Sequence, residues 1–182
     1  MSKLVTPVVQ GAFLALQEPK IPPGGDEGDA KFSVTVVLDK DHAWWGKLQS
    51  TIKKTAEEKW GKVPAKMINP VKDGDDNDYP EFDGMYTVDV RTKRRPEVID
   101  KATMAPIIKL SDISSGDYMR VSFQVYAWEF SDKGLNRKGV GLSLSNVMWV
   151  EATDEPWDGS TSASSDFAEF AEEEGEADDL LG

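Results

Sequence analysis

The stretch Asp117 to Phe130, DYMRVSFQVYAWEF, carries two kinds of side chain at a period of two. Met119, Val121, Phe123, Val125 and Ala127 share one face, the inner row of a half-buried strand. Tyr118, Arg120, Ser122, Gln124, Tyr126, Trp128 and Phe130 share the other. A merely solvated face would be built from Lys, Glu and Thr. Rings interspersed with arginine and hydrogen-bonding groups suit a different task. Each ring offers a platform on which a base can stack, worth about 1–3 kcal/mol, and arginine can engage phosphate or stack as well. Arg91, Lys93, Arg94 and Arg95 gather at the end of another strand, and Lys133, Arg137 and Lys138 flank the turn signal Asp132-Lys133-Gly134. Cations at strand ends beside exposed rings form the pattern that tracks a phosphate backbone. The competing reading is a structural or assembly protein, in which a loop or second subunit covers the aromatic face.

Other chemistries find little support. The acids Asp73, Asp75, Asp76, Asp78, Glu81 and Asp83 begin like a calcium loop, but its sixth position is Asp78 instead of Gly and its twelfth is Gly84 instead of Glu. All six are crowded into one segment, whereas a two-metal nuclease site draws acids from several elements. A solvated loop is the simpler account. His42 is the only histidine and there is no cysteine, so zinc sites, disulfides and a Ser-His-Asp arrangement have almost nothing to work with. No phosphate-cradling glycine motif occurs. The expectation is a non-enzyme with no catalytic residues, metal or cofactor.

The elements that must position the rings are mostly strands. Val5 to Leu16 is β-rich, with a bulge or bend expected at Gly11, and Gln17 to Asp29 reads as a loop. In Lys31 to Leu38, Phe32, Val34, Val36 and Leu38 point one way while Lys31, Ser33 and Thr35 point the other. One helix follows, with Asp41 as its expected cap. Its core stripe is Trp45, Leu48, Ile52, Ala56 and Trp60, and Gly61 and Pro64 end it. Residues 67–84 read as a loop. Strands are expected at 85–93, 97–100, 117–130 and 138–150, the last two as a hairpin. The fold class is therefore mainly β, a small OB-fold-like β-barrel with one α-helix.

Residues 151–182 contain twelve of the 33 acidic residues and no Lys or Arg. The remaining 21 acids match the 21 basic residues, so residues 1–150 are formally neutral and the net charge of −12 resides in the tail. Such a like-charged block is expected to be disordered. The division is a single-stranded-nucleic-acid-type body at 1–152 and an acidic tail at 153–182. Glu172, Glu173, Glu174, Glu176, Asp178 and Asp179 precede Leu180 and Leu181, a combination that suits a basic, apolar pocket on a partner. A plain solubilising tail is the alternative. No signal-peptide core or run of 18 apolar residues occurs, so no membrane association is expected.

Several segments together resemble the bacteriophage single-stranded DNA-binding proteins that pair an OB-fold with an acidic tail. They run from Thr6-Pro7 to Glu18-Pro19, Lys31-Phe32-Ser33-Val34 to Asp39-Lys40, and Val71-Lys72-Asp73-Gly74-Asp75 to Phe82-Asp83-Gly84. They continue through Arg95-Pro96-Glu97-Val98-Ile99-Asp100, Ser115-Gly116-Asp117-Tyr118 to Tyr126-Ala127-Trp128, and Lys138-Gly139-Val140 to Leu144-Ser145-Asn146-Val147. The resemblance implies coating of single-stranded DNA in phage replication or recombination, in the host cytoplasm. It also implies a tail that docks replication or recombination proteins and competes with DNA, and it leaves room for a homodimer. The 118–130 strand, its hairpin partner and the 91–95 strand end fall on the family's binding side.

Overall fold

Alternating apolar and polar residues draw most of this chain into strands, because a period of two presents one continuous apolar face to a core. The structure, a computed structural model, describes residues 2–157 and 166–171. Its main elements are β1 (Ser2–Val5), β2 (Val9–Lys20), β3 (Lys31–Asp39), α1 (Trp44–Trp60), β4 (Val71–Asp73), β5 (Met85–Thr92), β6 (Glu97–Asp100), β7 (Tyr118–Asp132) and β8 (Leu135–Glu151). β2 pairs with β3, β3 with β5, β5 meets β8 in parallel, β8 pairs with β7, and β7 returns to β2. The sheet thus closes on itself as an OB-like barrel, which satisfies strand edges that would otherwise be open. β1, β4 and β6 add to its rim by pairing with β7, β5 and β8.

The inner rows of β3 and β7 are the predicted ones, and β5 adds a third. Val34 and Val36 of β3, Val88 and Val90 of β5, and Met119, Val121, Phe123 and Val125 of β7 are fully buried. α1 closes the barrel with Trp44, Trp45, Leu48, Ile52 and Ala56, all buried, and the Trp44 ring meets Phe123 edge-on at 6.1 Å. The helix ends at Gly61, whose φ of 77° suits glycine. β7 and β8 form the expected hairpin. Lys133 (φ 47°) and Gly134 (φ 83°) make a two-residue turn with both φ positive, the type I′ geometry whose twist matches the strands.

Four local expectations are corrected. Asp41 does not cap α1: Ala43 stands at that position, and His42 Nδ1 accepts the Trp44 N–H at 3.1 Å. Asp39 Oδ1 takes the Asp41 N–H at 2.9 Å and folds that segment into a turn ahead of the helix. The irregularity in β2 falls at Phe13 (φ 48°), between the pairs of Ala12 and Ala15, instead of at Gly11. Gly11 stays in register opposite Val36, and glycine is required there because the Met119 sulfur occupies the room a Cβ would need. β2 itself runs on to Lys20, beyond the expected start of a loop at Gln17. Finally, part of the 67–84 loop is strand β4. Asn69 Oδ1 accepts the Val71 N–H at its start, and Lys40 bridges Asp73 and Asp75 at its end, both at 2.6 Å.

Past β8 the chain stays on the barrel. Asp117, 1 % exposed, accepts three hydrogen bonds at 3.0 Å, from the Ser114 N–H, the Thr153 N–H and Trp149 Nε1. The Trp157 N–H bonds Ser115 O and its ring meets Phe82. Most of the acidic tail, including Glu172 to Leu181, lies outside the described residues.

Candidate nucleic-acid interface

The outward faces of β3, β5, β8 and β7 form one surface, fixed by the pairs Ser33–Arg91, Arg91–Ser143, Gln124–Ser143 and Tyr126–Gly141. On it lies a groove of about 560 Å³ lined by Lys31, Lys72, Asp89, Arg91, Lys93, Tyr126, Gly141 and Ser143, among others. A second hollow of about 420 Å³ shares Lys31 and Arg91 and extends the basic track to Lys20 beneath Pro22 and Pro23. At the β7 wall, Tyr126 lies across Gly141 and Trp128 across Gly139, each directly opposite in the hairpin. A Cβ on Gly141 would come within 2.6 Å of Tyr126 Oη, and one on Gly139 within 2.5 Å of Trp128 Cε2. The two glycines therefore let both rings fold down over the neighbouring strand, half-buried, with Tyr126 beside the cations of the groove.

One acid stands among these bases. Asp89 accepts a hydrogen bond from Thr35 Oγ1 at 2.7 Å and pairs with Arg91 at 3.1 Å and Lys72 at 3.3 Å. Burial works against its charge, but the Thr35 hydroxyl and the two cations outweigh that and hold the carboxyl below the usual range. Asp89 thus occupies two cations that would otherwise meet an anionic ligand. Asp89→Asn keeps an acceptor for Thr35 and removes the charge. It is expected to tighten binding of an anionic polymer roughly tenfold at low salt, from one unit charge at about 6 Å in a partly screened site. The plot of log affinity against log salt should steepen by about 0.7. Unchanged affinity and slope would show that Asp89 does not face the ligand.

The family model described as "Enterobacter phage Enc34, ssDNA-binding protein" matches residues 2–181. The chain belongs to the Enc34 single-stranded DNA-binding protein family. A putative protein of Acyrthosiphon pisum secondary endosymbiont phage 1 is 27% identical over 179 residues, covering 91% of this chain and 94% of that one. Among solved structures, the single-stranded DNA-binding protein of bacteriophage Enc34 in complex with ssDNA matches with a TM-score of 0.68 at 24% identity, over 85% of this chain and 88% of that chain. The single-stranded DNA-binding protein encoded by bacteriophage T7 matches with a TM-score of 0.64 at 14% identity, over 84% of this chain and 93% of that chain. At these identities the structural matches speak for the shared fold.

In this member of the Enc34 family, the residues singled out from sequence divide into groups. Arg91, Lys93 and Tyr126 line the basic groove, with Trp128 next along β7. Phe130, Lys133 and Arg137 are exposed on the projecting part of the hairpin. Lys138 sits 5.7 Å above the Trp60 ring, whose Nε1 donates to Glu129, so it also holds the hairpin to α1. Arg94 is exposed and its N–H bonds Thr92 Oγ1. Arg95 bonds Gln17 O at 2.8 Å and covers the Phe32 ring, which ties β2 to β3. Tyr118 and Arg120 lie at the other end of β7, where Arg120 bonds Thr6 O at 3.3 Å and lines a separate, mainly apolar groove. Ten residues of strand separate Tyr118 from Trp128, about 33 Å, so the two rings stand far apart on their common outward face. Lys20, Lys31 and Lys72 were missed as groove residues. Lys31 carried a signal, its outward phase in β3; Lys72 carried none while β4 read as loop.

The acid-rich segment has a structural job. Among the described residues no group of three or more His, Cys, Asp or Glu could hold a metal ion. Hydrogen bonds from Lys40 and the Asp75 N–H hold the Asp73 carboxyl below the usual range; the Gly84 N–H and Lys40 do the same for Asp75. Lys40 is raised in turn, above its ordinary range. Because the carboxyl values are depressed, this clamp is present above about pH 4 and is lost as pH falls through the lower folded values. Hydrogen exchange at the Gly84 N–H should quicken there relative to barrel amides. Equal protection ratios across that range would remove the clamp from the account.

Proposed function

We propose that this chain binds single-stranded DNA with little sequence preference, without catalysis. Phosphates track along Lys20, Lys31, Lys72, Arg91 and Lys93, and bases stack on Tyr126 and Trp128. Phe130, Lys133 and Arg137 extend the path onto the hairpin, and Arg94 flanks it. The observation that carries this reading is the meeting of the basic groove and the two half-buried rings on one outward face. Every base offers a ring face, so stacking does not discriminate among sequences. The ssDNA held by the Enc34 relative supports the same ligand class.

The body extends through Trp157, and the acidic segment beyond it competes with DNA for the groove and recruits replication or recombination proteins in the host cytoplasm. Among the described residues no helix is long and apolar enough to cross a membrane. Titrating the full chain with oligo-dT at two salt concentrations, while following tryptophan emission, tests the binding. Saturable quenching that weakens with salt by about 0.7 in log units per phosphate contact is expected. Replacing Glu172, Glu173, Glu174, Glu176, Asp178 and Asp179 by their amides should tighten binding, most at low salt. A flat titration would transfer the aromatic face to a subunit interface.

A further inference from the structure

The separate groove at the far end of β7 has an apolar floor that the DNA-binding reading leaves unused. Val5, Ile99, Met104, Val147 and Met148 line it, with Arg120 at its wall, in a volume of about 390 Å³. Val5 is 51% and Met104 61% exposed. The Arg120 side chain reaches Thr6 O with one nitrogen, and a guanidinium has five N–H donors, so it can also take a carboxylate. Glu97 also lines the groove and disfavours a purely acidic ligand. The site suits a segment with two bulky apolar residues next to a carboxylate.

Such a segment belongs to the chain itself. Within residues 172–182 the only large apolar residues are Leu180 and Leu181, directly after Asp178 and Asp179. We propose that Leu180 and Leu181 dock in this groove with an adjacent aspartate on Arg120, laying the glutamates before them over the basic groove. This deepens, and rests on, the competition assigned to the acidic segment above. The spacing agrees. Tyr126, in the basic groove, and Ser122 and Arg120, in the apolar one, point outward from the same strand four and six residues apart, or about 13–20 Å. Glu174 and Leu180 are also six residues apart, at most about 20 Å of extended chain. Reach is sufficient as well. Asp117 binds the Thr153 N–H only three residues before Arg120, about 10 Å along β7. The 23 residues from Trp157 to Leu180, of which 166–171 are helical, span up to about 65 Å. Leucines anchored beside the groove raise the local concentration of the acids over it, so a weak contact suffices for competition.

The test uses the full chain with isotope-labelled methionine methyl groups. Met104 and Met148 report on the groove, while Met119, buried in the barrel, and Met85, beside Phe82, serve as controls. Leu180→Asp with Leu181→Asp should shift the Met104 and Met148 resonances and leave Met119 and Met85 in place. Saturating oligo-dT on the unaltered chain should move the same two signals in the same direction. Unmoved Met104 and Met148 signals in the double variant would overturn the docking. If the amide variants of the acids still tightened DNA binding, the competition itself would stand. Shifts that grow with protein concentration would place the leucines in a second copy and overturn the intrachain form. Absence of any DNA binding would remove the underlying reading instead.

Discussion

Replacing Tyr126 and Trp128 together by alanine is expected to weaken binding of labelled oligo-dT by roughly 30-fold to 10⁴-fold, from about 1–3 kcal/mol of stacking per ring. Both rings point out of the barrel, and the inner row of β7 is untouched by the change. The glycines opposite them supply no side chain to take over the surface. Trp128→Ala removes a fluorophore, so anisotropy of the labelled strand is the proper readout, with a thermal melt to confirm that the barrel persists. The salt slope should hardly change, because the phosphate contacts remain. A double variant within threefold of the parent would mean that bases do not stack there, and the basic groove would have to act alone.

Asp117→Ala is expected to cost about 3–5 kcal/mol of stability and to lower the melting temperature by roughly 10 °C. The carboxylate satisfies two backbone N–H groups and an indole N–H drawn from the segment before β7, from β8 and from the chain beyond it. Alanine leaves those donors facing a small void, and each buried, unpaired donor costs about 1–3 kcal/mol. Asp117→Asn rescues only in part: its one oxygen can keep the Ser114 and Trp149 donors, but its amide NH2 then faces the Thr153 N–H. The change should also loosen the attachment of Thr153 and Trp157, seen as faster exchange of the Trp157 N–H, which bonds Ser115 O. A melting temperature within 2 °C of the parent would mean that other contacts hold this junction.

Much of this protein is determined locally. The period of two in β3, β5 and β7 selects inner from outer residues, because successive Cβ atoms in a strand must point to opposite faces. The three- and four-residue steps of Trp45, Leu48, Ile52 and Ala56 determine the helix, and Asp132-Lys133-Gly134 determines the hairpin turn, since glycine tolerates the positive φ that turn requires. The division of charge between neutral body and acidic tail is likewise a property of composition alone. Asp89, Lys31 and Lys72 are different. They come from three strands, and only the β3–β5 and β4–β5 pairings bring a carboxylate and two ammonium groups onto one face. Arg95 and Arg120 show the reverse: their sequence company is basic or aromatic, yet one is spent on Gln17 and Phe32 and the other reaches Thr6. Periodicity says which way a side chain points from its own strand. Which cations converge depends on strand order and register around a closed barrel, set by contacts between residues far apart in the chain.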